Sequence, residues 1–172
     1  FDTETTSLNE MEAQIVGLAL SWEVHKGYYI LFPEDSSLAK QWLLVLKPFF
    51  EAENILKIGQ NLKYDLKVLT NYGIIVRGPL FDTMIAHYLL NPDMRHNMDL
   101  LAEAYLEYTP IAIDTLIGKK GKGQLTMRSV SAELQKEYAV EDTDVTLQLK
   151  HTFLPLLEKD QMTQLFTEVE AP

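Results

Sequence analysis

Phe1-Asp2-Thr3-Glu4-Thr5-Thr6-Ser7-Leu8 is the stretch on which the reading of this chain turns. In a β-strand, side chains two apart share a face, so Asp2 and Glu4 present two carboxylates side by side. Like charges held that close repel, and their pKa values rise unless a cation sits between them. The cation that suits oxygen ligands is a hard metal, Mg²⁺ or Mn²⁺. Taken alone, the same residues also read as a polar turn at a frayed terminus. Two further carboxylates in settings that fit one site favour the metal.

The 172 residues are expected to form a single domain with a sizeable core. Hydrophobic residues at 47% and charged residues at 23% are ordinary for a soluble globular protein. No apolar run approaches a membrane span, and no signal peptide is visible, so a cytoplasmic, membrane-free setting is expected. Without cysteine there is no disulfide framework, thiolate metal site or cysteine nucleophile. The net charge of −10 argues against coating nucleic acid electrostatically, but not against gripping a few nucleotides through bound metal ions.

Read in order, residues 1–5 form a strand that starts abruptly, as if the chain were cut from something longer. Residues 13–24 are nearly all apolar, the pattern of a strand buried on both faces. Residues 27–32 follow a tight connection at 24–26, which predicts an antiparallel hairpin. Ser36 or Ser37 is expected to cap a helix running through Leu38, Trp42, Leu46 and Phe49. A short strand over 54–59 leads into a helix that stops near Gly73. A last strand covers 76–81, and a helix then starts at Asp82 and ends at Asn91-Pro92. Helices follow around Leu100–Tyr105 and over 129–159. Between them lies a glycine- and lysine-rich loop at 118–123, a solvated linker or a contact for a nucleic-acid backbone. Strands first, then strand–helix units, then helices makes a mixed sheet with helices packed on it, an α/β fold.

Two further pairs carry chemistry. Asn61 and Asp65 are four apart on a helix that begins directly after a strand, at the sheet end where α/β sites form. The alternative is a helix cap and a solvated acid. Tyr138 and Asp142 are again four apart on one helix face, or else a core-edge tyrosine beside a surface acid. His25, His87, His96 and His151 show no ligand spacing and read as structural.

FDTETTSL (1–8), GQNLKYDLKVL (59–69) and YAVEDTDVTLQL (138–149) resemble, in that order, the three exonuclease motifs of the 3′–5′ proofreading domain of bacterial DNA polymerase I. The last is the tyrosine variant. FDTMIAHYLLNP (81–92), RHNMDLLAEAYL (95–106) and GQLTM (123–127) are similar as well, so the resemblance covers essentially the whole chain. TEVEAP (167–172) is similar to the junction into the polymerase. The resemblance implies a ribonuclease H-like fold, a five-stranded mixed sheet flanked by helices, its first three strands antiparallel.

By the same resemblance, Asp2, Glu4 and Asp142 hold a first divalent ion. Asp2 bridges to a second, which Asp65 supports largely through water. Tyr138 orients the attacking water, and Leu8 wedges against terminal bases. Thr3, Gln60, Asn61, Lys63, Tyr64 and Arg95 fall where the family contacts the strand. Ile113 stands where the family carries a phenylalanine that packs on a terminal base.

The expected function is two-metal-ion hydrolysis at single-stranded DNA 3′ ends, proofreading for a polymerase domain in the same polypeptide, at the bacterial nucleoid. The isolated domain is expected to be a monomer. The alternatives are an RNA 3′-end trimmer of the same superfamily and a scaffold that has lost catalysis; the four retained carboxylates count against the latter.

Overall fold

The structure is a computed structural model, in which residues 1–171 are described. Strand β1 (Asp2–Thr5) pairs antiparallel with β2 (Ile15–Glu23), which pairs antiparallel with β3 (Lys26–Leu31). Two short strands, β4 (Lys57–Gly59) and β5 (Leu80–Asp82), pair in parallel. The expected five strands are present, with the first three antiparallel, but not as one continuous ladder. The described hydrogen bonds make a three-stranded and a two-stranded sheet. A bond from the Phe1 amino group to the Ile58 carbonyl, 2.7 Å, joins β1 to β4. One hydrogen bond makes a junction, and a ladder needs several.

Alternation assigns the two faces. Leu18, Leu20 and Ile30 point into an apolar core with Leu43 and Leu69, from helices α1 (Ser36–Leu44) and α3 (Leu62–Asn71). The opposite face carries Asp2, Glu4, Gly17 and Tyr29 and lies under a 28-residue helix, α7 (Ala132–Lys159). Two glycines make that approach possible. A Cβ on Gly17 would lie 1.9 Å from the Tyr29 hydroxyl oxygen, and one on Gly27 2.5 Å from Val140 Cγ1. Tyr29 then donates to Gln135 Oε1 (2.7 Å), and Gln135 donates to the Met127 and Val130 carbonyls (3.0 and 2.7 Å). Arg128 bonds the Phe32 and Ile15 carbonyls at 2.6 and 2.8 Å, fixing the entry to α7 against β2 and β3. Helices α4 (Thr83–Leu90) and α5 (Met98–Leu106) pack on α7 in a second core around Leu149 and Phe153. Two single turns, α2 (Lys47–Phe50) and α6 (Asp114–Ile117), complete the helices named here.

Several expected boundaries move, each for a local reason. Asp35, not Ser36 or Ser37, caps α1, its carboxylate accepting the Leu38 amide at 2.8 Å. That helix does not continue through Phe49. It breaks at Val45–Leu46 and restarts as α2 with Pro48 in its first turn, where a missing N–H costs nothing. The strand expected over 76–81 is confined to Leu80–Asp82, because Gly78 (φ 80°) turns the chain and Pro79 has no N–H to pair. The long helix starts at Ala132 behind Ser131, after a 3₁₀ turn over Met127–Ser129. β2 is buried on both faces only as far as Ala19; beyond it Trp22 is open to solvent and stacks on Tyr28 at 4.5 Å. Of the 167–172 stretch, Pro172 lies outside the described residues. No helix among the described residues is long and apolar enough to cross a membrane.

Asp82 does more than begin α4. Buried at the end of β5, it accepts the amides of Asn61 (3.0 Å) and Leu62 (2.8 Å) at the start of α3, and that of Met84 (2.9 Å) in α4. One carboxylate thus satisfies the N-termini of two helices. Asp82→Ala is expected to cost about 2–4 kcal/mol, combining a lost cap with unpaired buried amides. Urea unfolding measures this, and an unchanged midpoint would refute the double-cap assignment.

Candidate metal centre and substrate cleft

Three elements deliver the acids. Asp2 and Glu4 come from β1, Asp65 from α3 and Asp142 from the middle of α7. Asp2, Glu4 and Asp142 each offer a carboxylate oxygen, all within 4.8 Å of one another. Glu4 and Asp142 are buried, and Asp2 is half-buried. Asp65 is buried beside this trio but outside it. Its Oδ1 accepts both the amide (3.0 Å) and the hydroxyl (2.5 Å) of Thr3.

The donor set suits a hard divalent ion: oxygen only, negatively charged, from separate rigid elements. A sharper sign is that Glu4 Oε1 and Asp142 Oδ1 are buried with no hydrogen-bond partner among the described residues. Buried polar atoms are normally paired, and each exception calls for an explanation such as an ion. The trio therefore fits a metal, and Asp65 lines the same cleft.

The electrostatics point the same way. Burial, then the charges of Asp2, Asp142 and Asp65, push the Glu4 carboxyl up to about 10. Asp65 is raised to about 8 by burial and then by Asp2, against the hydrogen bonds from Thr3. Asp2 and Asp142 are both raised, chiefly by burial. Tyr138, one turn before Asp142, has its phenol pushed up by burial and by Asp142, Glu4 and Asp2, so it keeps its proton.

The acids lie in a cleft of about 630 Å³. Thr3, Leu8, Gln60, Asn61, Tyr64, Ile113 and Tyr138 also line it. Leu8 is 85% exposed, an apolar side chain held out at the rim. Asn61 sits at the N-terminus of α3 in the left-handed region (φ 59°) without capping it, so the cap reading of Asn61 does not hold; Asp82 does that work. Gln60 is turned inward, its amide bonded to Thr83 and to the His96 carbonyl (2.7 Å). Tyr64 donates to the Ser7 carbonyl and shares a hydrogen bond with the Thr5 hydroxyl, bracing the loop that carries Leu8. Lys63 lines a separate hollow, and Arg95 is exposed and does not line the cleft. His87 is buried and bonded to His96 (2.7 Å) and Tyr105 (3.2 Å), and His25 pairs with Asp144; none of the four histidines belongs to the acidic trio. Sequence reasoning missed Ile117, Leu125 and Met127 in the cleft lining, because nothing local marks an apolar residue in a short turn or loop as a wall.

Carboxyls whose folded pKa values exceed their unfolded ones stabilise the fold most below about pH 4, and that contribution is lost as pH rises through the folded values. For Asp65 and Glu4 those values are about 8 and about 10. The metal-free chain is therefore expected to lose thermal stability progressively from about pH 4 up to about pH 10, with Mn²⁺ restoring it. Ion binding at neutral pH should release about one proton or more, since ligands must be deprotonated. Scanning calorimetry and titrations in buffers of differing ionisation enthalpy measure both. A pH-flat Tm without proton release would contradict this picture of the centre.

Residues 1–158 match the 3′–5′ exonuclease family. DNA polymerase I of Pseudomonas aeruginosa is 36% identical over the whole chain, and that of Borreliella burgdorferi 34% over 99% of it. The chain spans about a fifth of these relatives (20% and 19%). Among solved structures, Brucella melitensis NrnC bound to pGG superposes with a TM-score of 0.75 at 24% identity, over 95% of this chain and 74% of that one. The catalytic core of Trypanosoma brucei RRP6 superposes at 0.71 and 21%, over 99% of this chain and 44% of that one. These likenesses show a shared ribonuclease H-like fold. With the match running through all three acidic motifs, the chain belongs to the 3′–5′ exonuclease family of DNA polymerase I.

Proposed function

We propose that this chain is a metal-dependent exonuclease that shortens single-stranded DNA from its 3′ end, proofreading for a polymerase domain in the same polypeptide. The observation that carries the reading is the acidic trio Asp2, Glu4 and Asp142, with an unpartnered buried oxygen on each of Glu4 and Asp142, in the lining of an open cleft. Two Mg²⁺ or Mn²⁺ ions would supply a hydroxide near neutral pH and stabilise the attacking and leaving oxygens of the phosphodiester. Asp2, Glu4 and Asp142 would hold one ion, and Asp65 with Asp2 the other. Asp65, fixed by Thr3, is held in place in advance.

The remaining roles fall to the cleft walls. Tyr138 retains its phenolic proton beside Asp142 and can orient the attacking water by donating or accepting one hydrogen bond. Leu8 and Ile113 offer apolar surfaces for unstacked terminal bases, which need no sequence preference. An aliphatic Ile113 supplies contact area without a π-face, so base discrimination by stacking is expected to be weak.

Asp142→Ala is expected to abolish nearly all cleavage and one metal-binding event. Tyr138→Phe should keep fold and metal affinity but slow cleavage by about 10²-fold or less, the scale of a positioning role. Single-turnover cleavage of a 5′-labelled strand at saturating Mg²⁺ separates the two, and a Tyr138→Phe rate equal to the parent would sink the water-orienting role.

A second reading, trimming of RNA 3′ ends, is encouraged by the fold shared with NrnC bound to pGG. Deoxy and ribo oligonucleotides of one sequence decide between them. The DNA reading expects faster EDTA-sensitive shortening of the deoxy strand; preference for the ribo strand would transfer the assignment to RNA.

A further inference from the structure

Glu141 directly precedes Asp142 on α7, yet its carboxylate turns away from the acidic trio. Its Oε1 accepts the Tyr108 hydroxyl at 2.5 Å, and its Oε2 accepts the Ile111 amide at 2.6 Å. Both donors belong to the segment leaving α5, which turns at Glu107 through the left-handed region (φ 53°). Two residues past Ile111, the side chain of Ile113 forms part of the cleft wall, and Ile117 follows one turn later. The Ile113 carbonyl accepts the amides of Leu116 (3.0 Å) and Ile117 (3.1 Å), so this wall moves as one short piece with α6.

On its other side that piece runs into Gly118, Gly121 and Gly123, all at positive φ, with nothing within 4 Å of where a Cβ would stand at any of them. Across that loop a backbone bond, from the Leu125 amide to the Ile117 carbonyl at 2.9 Å, ties the far end of α6. The near end, which carries Ile113, is held by Glu141, whose two charge-assisted hydrogen bonds fix both the ring of Tyr108 and the backbone at Ile111.

We infer that Glu141 is a positioning residue of the exonuclease: it ties the Ile113 wall of the cleft to the helix that carries Asp142, setting the gap in which the terminal nucleotide sits. This rests on the exonuclease reading above. One residue thus couples strand grip to the catalytic helix, with no contact to the strand itself. The substrate class is a single-stranded 3′ end whose last base packs on an aliphatic surface.

The test is binding of a fluorescein-labelled oligothymidylate by anisotropy with Ca²⁺ in place of Mg²⁺, alongside single-turnover cleavage with Mg²⁺. Glu141→Ala is expected to weaken binding about tenfold, the scale of lost hydrogen bonds to a charged group. The cleavage rate at saturating strand should stay within about twofold. Glu141→Gln should bind like the parent, its amide oxygen accepting the Ile111 N–H and its amide nitrogen donating to Tyr108. In an Ile113→Ala background, Glu141→Ala should add nothing further. Equal effects of the Gln and Ala variants would instead assign the role to charge beside Asp142, and additivity with Ile113→Ala would reduce it to general stability; either overturns the inference. Should Glu141→Ala fail to fold, Tyr108→Phe removes one tie without altering charge. It should weaken binding about threefold, only when Ile113 is present, and parent-like binding would be decisive against the tether. A parent that binds the strand but cuts nothing would sink the exonuclease reading and leave the anisotropy arms to judge this one. A parent that binds no strand sinks both.

Discussion

Three carboxylates held within 4.8 Å of one another, mostly out of water, are an arrangement a fold resists. Each buried charge loses hydration, and each neighbour adds repulsion, so the acids are driven toward their neutral forms. The rest of the molecule can be read as what keeps them together regardless. Asp2 and Glu4 cannot separate, because β1 is bonded into β2 over Asp2↔Ala19 and Glu4↔Gly17. Asp142 cannot retreat, because α7 is seated on the sheet through Gly27 against Val140 and through the Tyr29–Gln135 bond. Arg128 then ties the approach to α7 back to the strands. The acids are held by rigid elements, so an ion would find its ligands already in place, with little ordering left to do.

The two halves of the acid cluster are not equivalent. Asp65 has its hydrogen bonds from Thr3, whereas Glu4 and Asp142 each keep an oxygen with no partner. A satisfied carboxylate has less to gain from a direct metal bond than an orphaned one. On the proposed reading, that asymmetry would make the trio the tighter ion site and Asp65 part of a looser one. The same Thr3 that braces Asp65 lies between Asp2 and Glu4 on the other face of β1, so strand alternation alone separates the two kinds of acid.

Much of this was legible because chemistry and periodicity coincided. The D-x-E spacing on a strand and the i, i+4 pairs on helices named all four acids and Tyr138, and the motif order named the family. Element types were legible for long patterned segments such as α7. Boundaries were not, where one residue overrides a pattern: Asp35 outcompetes the two serines after it, and Pro48 interrupts an apolar stripe that otherwise reads as a single helix. Gln60 shows a different limit. Its motif position suggests a strand contact, but its amide is engaged by Thr83 and the His96 carbonyl, partners 23 and 36 residues away that no local pattern announces. Asp82 escaped as a double cap for the same reason, since its second helix lies earlier in the chain.

An acidic protein that handles a polyanion faces a constraint the composition already states. With a net charge of −10, general attraction cannot hold a strand, and a duplex would be repelled along its length. On the proposed reading, what remains is local grip: a cleft floor whose negative charge ions would neutralise, apolar walls at Leu8 and Ile113, and a lysine-bearing loop at 118–123 whose Gly121 reaches the lining. Such a site holds an end better than a middle, because only an end offers a free terminal base to the walls and a scissile phosphate to the floor together. It would also release what it cuts, since a product anion away from the centre meets a field of unfavourable sign. On the proposed reading, acidity of the chain and selectivity for strand ends would be two consequences of one charge distribution, and the same acids that would make the centre reactive when filled would make the protein a poor DNA binder when empty.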